Sequence, residues 1–124
     1  MPNRKILVVD DEQDICDFVK NFFQERGYDV FTALGGEEAL AIVKADRPEL
    51  VLLDIKMKGM DGIATLRHLK GIDRDLRIIM VTALADQDKM DEACRLGACE
   101  YITKPLVLDH LERTVEKNLR GITV

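Results

Sequence analysis

Acidic side chains stand where short apolar runs end. The run Ile6–Val9 stops at Asp10, Asp11 and Glu12, and the run Leu50–Leu53 stops at Asp54. The stretch LRIIMV (76–81) gives way to Thr82-Ala83, and a fifth short run is followed by Lys104-Pro105. Brought to one place, Asp10, Asp11, Asp54, Thr82 and Lys104 are three carboxylates, a hydroxyl and an ammonium. Two unscreened carboxylates about 4 Å apart repel by about 4 kcal/mol at an effective dielectric near 20. Either some are protonated or a cation belongs with them. Oxygen donors without His or Cys favour a hard ion, Mg2+ with Mn2+ as its substitute, over a softer transition metal. An aspartate beside such an ion can attack phosphorus and become an acyl phosphate. That reaction needs in-line positioning and charge neutralisation, to which the metal, Lys104 and a hydrogen bond from Thr82 contribute.

For those residues to meet, the elements carrying them must end on one edge. KILVVD (5–10), YDVFTA (28–33), ELVLLD (49–54), LRIIMVTA (76–83) and CEYIT (99–103) read as strands. Several are continuous rather than alternating, as expected for strands covered on both faces. Helical patterns lie between them. The first places Ile15, Phe18, Val19 and Phe22 on one stripe and ends at Gly27, a good left-handed stop. The second, GGEEALAIVKA, carries Glu37 and Glu38 in its first turn, where they suit the helix dipole. The third spans about 62–70 with Ile63, Leu66 and Leu69, and the fourth runs from near Asp86 to Gly97. The fifth follows Pro105 and aligns Leu108, Leu111, Val115 and Leu119. Five strands alternating with five helices predict an α/β fold, a parallel sheet with helices on both faces. Such sheets bind ligands beyond the carboxyl ends of their strands. Without repeats or a linker-like stretch, residues 1–124 read as a single domain.

Composition narrows the function. Of 124 residues, 47% are hydrophobic and 33% charged, the balance of a globular chain with a real core. A net charge of -5 argues against direct nucleic-acid binding, which needs a concentrated basic face. No stretch resembles a signal-peptide core or a membrane span. Three cysteines, Cys16, Cys94 and Cys99, make no disulfide framework and fit a reducing cytoplasm. Without a nearby His they read as packing residues rather than metal ligands. The loop DDEQD after the first strand would repel a nucleotide's phosphates and lacks the glycines of a dinucleotide or P-loop site. His68 and His110 read as surface residues. Met57, Met60, Met80 and Met90 read as packing, and the charges of the fourth helix as a solvated face.

Taken in order, ILVVDDE, LVLLDIKMKGMDG, IIMVTA and GACEYITKPL resemble the receiver domain of bacterial two-component response regulators, across essentially the whole chain. The resemblance implies a flavodoxin-like (βα)5 fold with strand order 2-1-3-4-5. It implies a phosphorylation-activated switch rather than an enzyme that turns over an external substrate. Asp54 would be the phosphoacceptor. Asp11 would be a direct Mg2+ ligand, Asp10 one acting mostly through water, and the backbone carbonyl of Lys56 a third protein ligand beside Asp54. Lys104 would meet the phosphoryl group, and Lys104-Pro105 would be cis. Thr82 and Tyr101 would form the switch pair, Tyr101 turning inward as Thr82 moves toward phosphate and changing the surface of the fourth helix, fifth strand and fifth helix. The implied partners are a sensor histidine kinase or histidine phosphotransfer protein, an unknown downstream target, and a second copy of the chain on that same surface. No direct nucleic-acid or membrane contact is implied.

The sequence also departs from the family pattern. Lys58 stands where a proline often follows Met57, leaving Gly59 and Gly62 to permit the turn. Lys56 and Leu84 occupy the places that flank the path of attacking water, and are expected to slow hydrolysis. Two other function classes remain: a pseudo-receiver that binds partners without phosphate, and an aspartate-nucleophile phosphatase. The second would need Asp where Lys56 stands. The chain reads either as a complete regulator or as a receiver cut from a longer protein.

Overall fold

A computed structural model describes residues 3–57, 59–83, 87–98 and 100–120. The elements alternate as expected: β1 (Lys5–Val9), α1 (Gln13–Gln24), β2 (Asp29–Ala33), α2 (Gly36–Asp46), β3 (Leu50–Asp54), α3 (Gly62–Ile72), β4 (Arg77–Thr82), α4 (Gln87–Arg95), β5 (Glu100–Thr103) and α5 (Leu108–Arg120). The strands form one parallel sheet in the order β2-β1-β3-β4-β5. This is the flavodoxin-like order implied by the resemblance.

Strand side chains alternate between two core layers, as a period of two demands. Ile6, Val8, Leu50, Leu52, Ile79 and Val81 face α1 and α5. Leu7, Val9, Val51, Leu53, Ile78 and Met80 face α2, α3 and α4. Helices cover both layers, which is why β3 shows five buried residues in a row. The predicted start of the fourth helix at Asp86, and Cys99 at the start of the fifth strand, fall outside the described residues.

The stripe expected on the first helix requires a correction. Phe18 is 52% exposed, and the buried face of α1 is Cys16, Val19 and Phe23. Apolar residues at 15, 16, 18, 19, 22 and 23 offer two overlapping stripes. The one facing the sheet centres on Cys16 and Phe23, leaving Ile15 and Phe22 at its margin. Phe22 meets Phe23 edge-on at 5.0 Å, and the Arg26 guanidinium lies 3.7 Å above its ring while bonding Glu112 of α5 at 2.6 Å.

The register sets the heights of the reactive residues. Val9 lies opposite Leu53, and Asp54 opposite Val81. Asp10, one residue past β1, is therefore level with Asp54, and Thr82 stands one residue higher on β4. Of the two glycines expected to permit the turn after β3, Gly59 does so with a φ of 78°. Gly62 does not occupy the left-handed region. A Cβ there would lie 2.3 Å from the Asp54 carbonyl oxygen and 2.6 Å from the Ile55 Cα. Its smallness is a steric need, not a conformational one.

Candidate functional site

Lys104 holds the site together. Its ammonium donates to Asp10 Oδ2 at 3.1 Å and to Asp54 Oδ2 at 3.3 Å, and its backbone N–H donates to the Thr82 carbonyl at 2.7 Å. The Lys104-Pro105 bond is cis, as expected. The other carboxylate oxygens are engaged locally: Asp10 Oδ1 accepts from the Glu12 N–H at 3.0 Å and Asp54 Oδ1 from the Lys56 N–H at 3.3 Å. Asp10, Asp54 and Thr82 are buried, at 3%, 6% and 4% exposure.

Burying charge in this way shifts proton affinities. Burial raises the Asp54 carboxyl above the ordinary carboxylate range; the Lys104 ammonium opposes the shift and the Asp10 charge adds to it. For Lys104, burial works against the charged form, but its bonds to Asp10 and Asp54 outweigh that and raise its pKa. Behind them, the Cys16 thiol donates to the Asp10 carbonyl at 3.4 Å, and burial pushes its pKa up to about 11. It stays a neutral donor, in keeping with the packing role read from the sequence.

Asp10, Asp11 and Glu12 bring carboxylate oxygens within 4.8 Å of one another. Asp54 is not part of that group; it is joined to Asp10 through Lys104 instead. Glu12 was not among the ligands expected from the sequence. Its signal was its adjacency to the acidic pair. An all-oxygen donor set on a partly exposed loop fits a hard divalent ion that keeps several waters.

The remaining residues divide. Tyr101 is 43% exposed, turned out from the sheet edge. The Lys56 side chain is exposed at the rim. Leu84 and Lys58 lie outside the described residues. His68 and His110 are exposed on α3 and α5, while Met80 and Met90 are buried in packing positions. No helix among the described residues is long and apolar enough to cross a membrane.

The family model of the response regulator receiver domain matches residues 6–116. The chain belongs to the response regulator receiver family. This receiver is 43% identical over 119 residues to sporulation initiation phosphotransferase F of Bacillus subtilis, a match covering 96% of each chain. It is 40% identical over 114 residues to the transcriptional regulatory protein ZraR of Salmonella typhimurium, but spans only 26% of that protein. Among solved structures, a CheY-like receiver domain protein from Methanospirillum hungatei superposes with a TM-score of 0.90 at 32% identity, covering 98% of both chains. The Vibrio cholerae chemotaxis protein CheY4 gives 0.88 at 29% identity, over 93% of this chain and 98% of that one. The receiver is thus a regulatory domain of a two-component phosphorylation switch.

Proposed function

We propose that Asp54 is the phosphoacceptor of this receiver and that Lys104 steadies the transferred group. The observation carrying this reading is the Lys104 ammonium shared between Asp54 and Asp10 at 3.3 and 3.1 Å. A side chain already bridging nucleophile and acidic loop is placed to stabilise charge on an incoming phosphoryl group. Asp10, Asp11, Asp54 and the backbone carbonyl of Lys56 would hold Mg2+, with Glu12 beside them. The ion supplies charge neutralisation for phosphoryl transfer.

Around it, the chain's own groups divide the work. Asp54 attacks phosphorus through a carboxylate oxygen, the donor's leaving group departs on the opposite side, and an acyl phosphate remains. Thr82 donates to a phosphoryl oxygen, and Tyr101 turns into the space it leaves. The modification adds about −1.5 to −2 charges, shifting an existing equilibrium between two arrangements of the α4-β5-α5 surface. A downstream target reads that surface; a homodimer is the alternative use of it. The exposed Lys56 ammonium and Leu84 slow hydrolysis by screening the acyl phosphate and limiting water.

The donor is a sensor histidine kinase or a histidine phosphotransfer protein, and the setting is cytoplasmic. The relative named a phosphotransferase, matched over 96% of both chains, favours a relay role in which the phosphoryl group moves on to another protein. External substrate turnover is not part of this reading. Incubation with Mg2+ and acetyl phosphate should add one phosphoryl group by mass spectrometry, and Asp54→Asn should abolish it. The same adduct on Asp54→Asn would overturn the assignment. No adduct on the wild type, with no binding of beryllium fluoride, would favour a phosphate-independent interaction module.

A further inference from the structure

We infer that Gly62 is a positioning residue for phosphoryl transfer, seating the start of α3 directly on the main chain of the phosphoacceptor. The inference rests on the assignment of Asp54 above.

Gly62 is the first residue of α3, and Asp61 before it caps the helix by accepting from the Ala64 N–H at 2.8 Å. The Gly62 N–H donates to the Ile55 carbonyl at 2.8 Å. A Cβ on Gly62 would lie 2.3 Å from Asp54 O, 2.6 Å from Ile55 Cα and 2.9 Å from Ile55 O. All three are backbone atoms, so no side chain can turn aside to make room. They belong to the peptide that carries Asp54 and leads to Lys56, whose N–H bonds Asp54 Oδ1 at 3.3 Å. On its far side that segment is pinned to the sheet, because the Ile55 N–H donates to Val81 O at 3.0 Å. Anything that lifts α3 from this contact must strain the Asp54–Lys56 backbone, and with it the nucleophile and its geometry toward Lys104.

Two controls separate this role from ordinary packing. Phe23, near the far end of α1, is fully buried in the other core layer, so Phe23→Leu lowers stability without touching the start of α3. Gly71, in the same helix as Gly62, has nothing within 4 Å of such a Cβ, so Gly71→Ala tests the bare substitution. Gly36 does not serve: a Cβ there would meet Thr65 Oγ1 and Met60 Sδ, and Thr65 Oγ1 donates to the carbonyl of Asp61, the α3 cap.

The experiment measures phosphoryl uptake from acetyl phosphate by mass spectrometry, with urea unfolding to fix the folded fraction of each variant. A shift of about 1 Å in a reacting group costs up to about 100-fold in rate. Gly62→Ala should lose at least about ten-fold in uptake per folded molecule, while Phe23→Leu and Gly71→Ala stay within about two-fold. If Gly62→Ala does not fold, Asp61→Ala is used instead. It loosens the first turn of α3 without adding atoms, and should lower uptake per folded molecule more than Phe23→Leu does. Uptake per folded molecule that is equal in the α3-start variant and Phe23→Leu overturns the inference. Absence of uptake in the wild type overturns instead the assignment of Asp54 on which it rests.

Discussion

At the scale of single residues, the site balances burial against charge. Burial leaves Asp54 with a raised pKa despite Lys104. A carboxyl whose folded pKa exceeds its unfolded one stabilises below the unfolded value, and that contribution is lost as pH rises through the folded value. At neutral pH the ionised Asp54 is thus a strain on the metal-free fold. Asp54→Asn should raise metal-free stability at pH 7 in urea titrations, with the gain shrinking as pH falls toward the ordinary carboxylate range. Lys104→Met should act in the opposite direction. It strands two buried carboxylates without their counterion, so the metal-free melting temperature should fall. Saturating Mg2+ should then recover more of it in the variant than it adds to the wild type. The chemical residue types were legible in the sequence because they stand at strand ends. Glu12 was harder to place, since a third consecutive acid looks like any solvated helix start until its oxygens are located.

At the scale of elements, period and punctuation made most boundaries readable. Gly27, with a φ of 88°, closes α1 as its position suggested. What misled was α1 itself, where six apolar residues serve two stripes and periodicity cannot choose between them. Packing chooses. Phe23 is fully buried and Phe18 is half out, so Phe23→Ala should cost about 3–5 kcal/mol while Phe18→Ala changes stability little. Chemical denaturation of the two variants distinguishes the stripes directly. On α3, Gly71 meets nothing and sits in helical backbone, so Gly71→Ala should stabilise by about 0.5–1 kcal/mol. Gly62 was read as a flexible turn residue because glycine usually signals conformational freedom. Its actual requirement, room for a neighbouring backbone, depends on tertiary contact and leaves no local trace.

At the scale of the whole molecule, the alternation of strand and helix foretold the sheet, whereas the strand order came from family resemblance and now stands in the pairing of β1 with both β2 and β3. Lys104 has one more consequence at this scale. It follows β5 immediately, yet its atoms bond Asp10 beyond β1, Asp54 on β3 and Thr82 on β4. One residue thus fastens the last strand of the sheet to three others at their reactive ends. Tyr101 lies three positions upstream, on that last strand. Under the function proposed above, a phosphoryl group that draws on the Lys104 ammonium would tighten the margin of the sheet together with its middle. Amide hydrogen exchange across residues 100–103 should therefore slow on addition of beryllium fluoride with Mg2+ in the wild type, and far less in Lys104→Met.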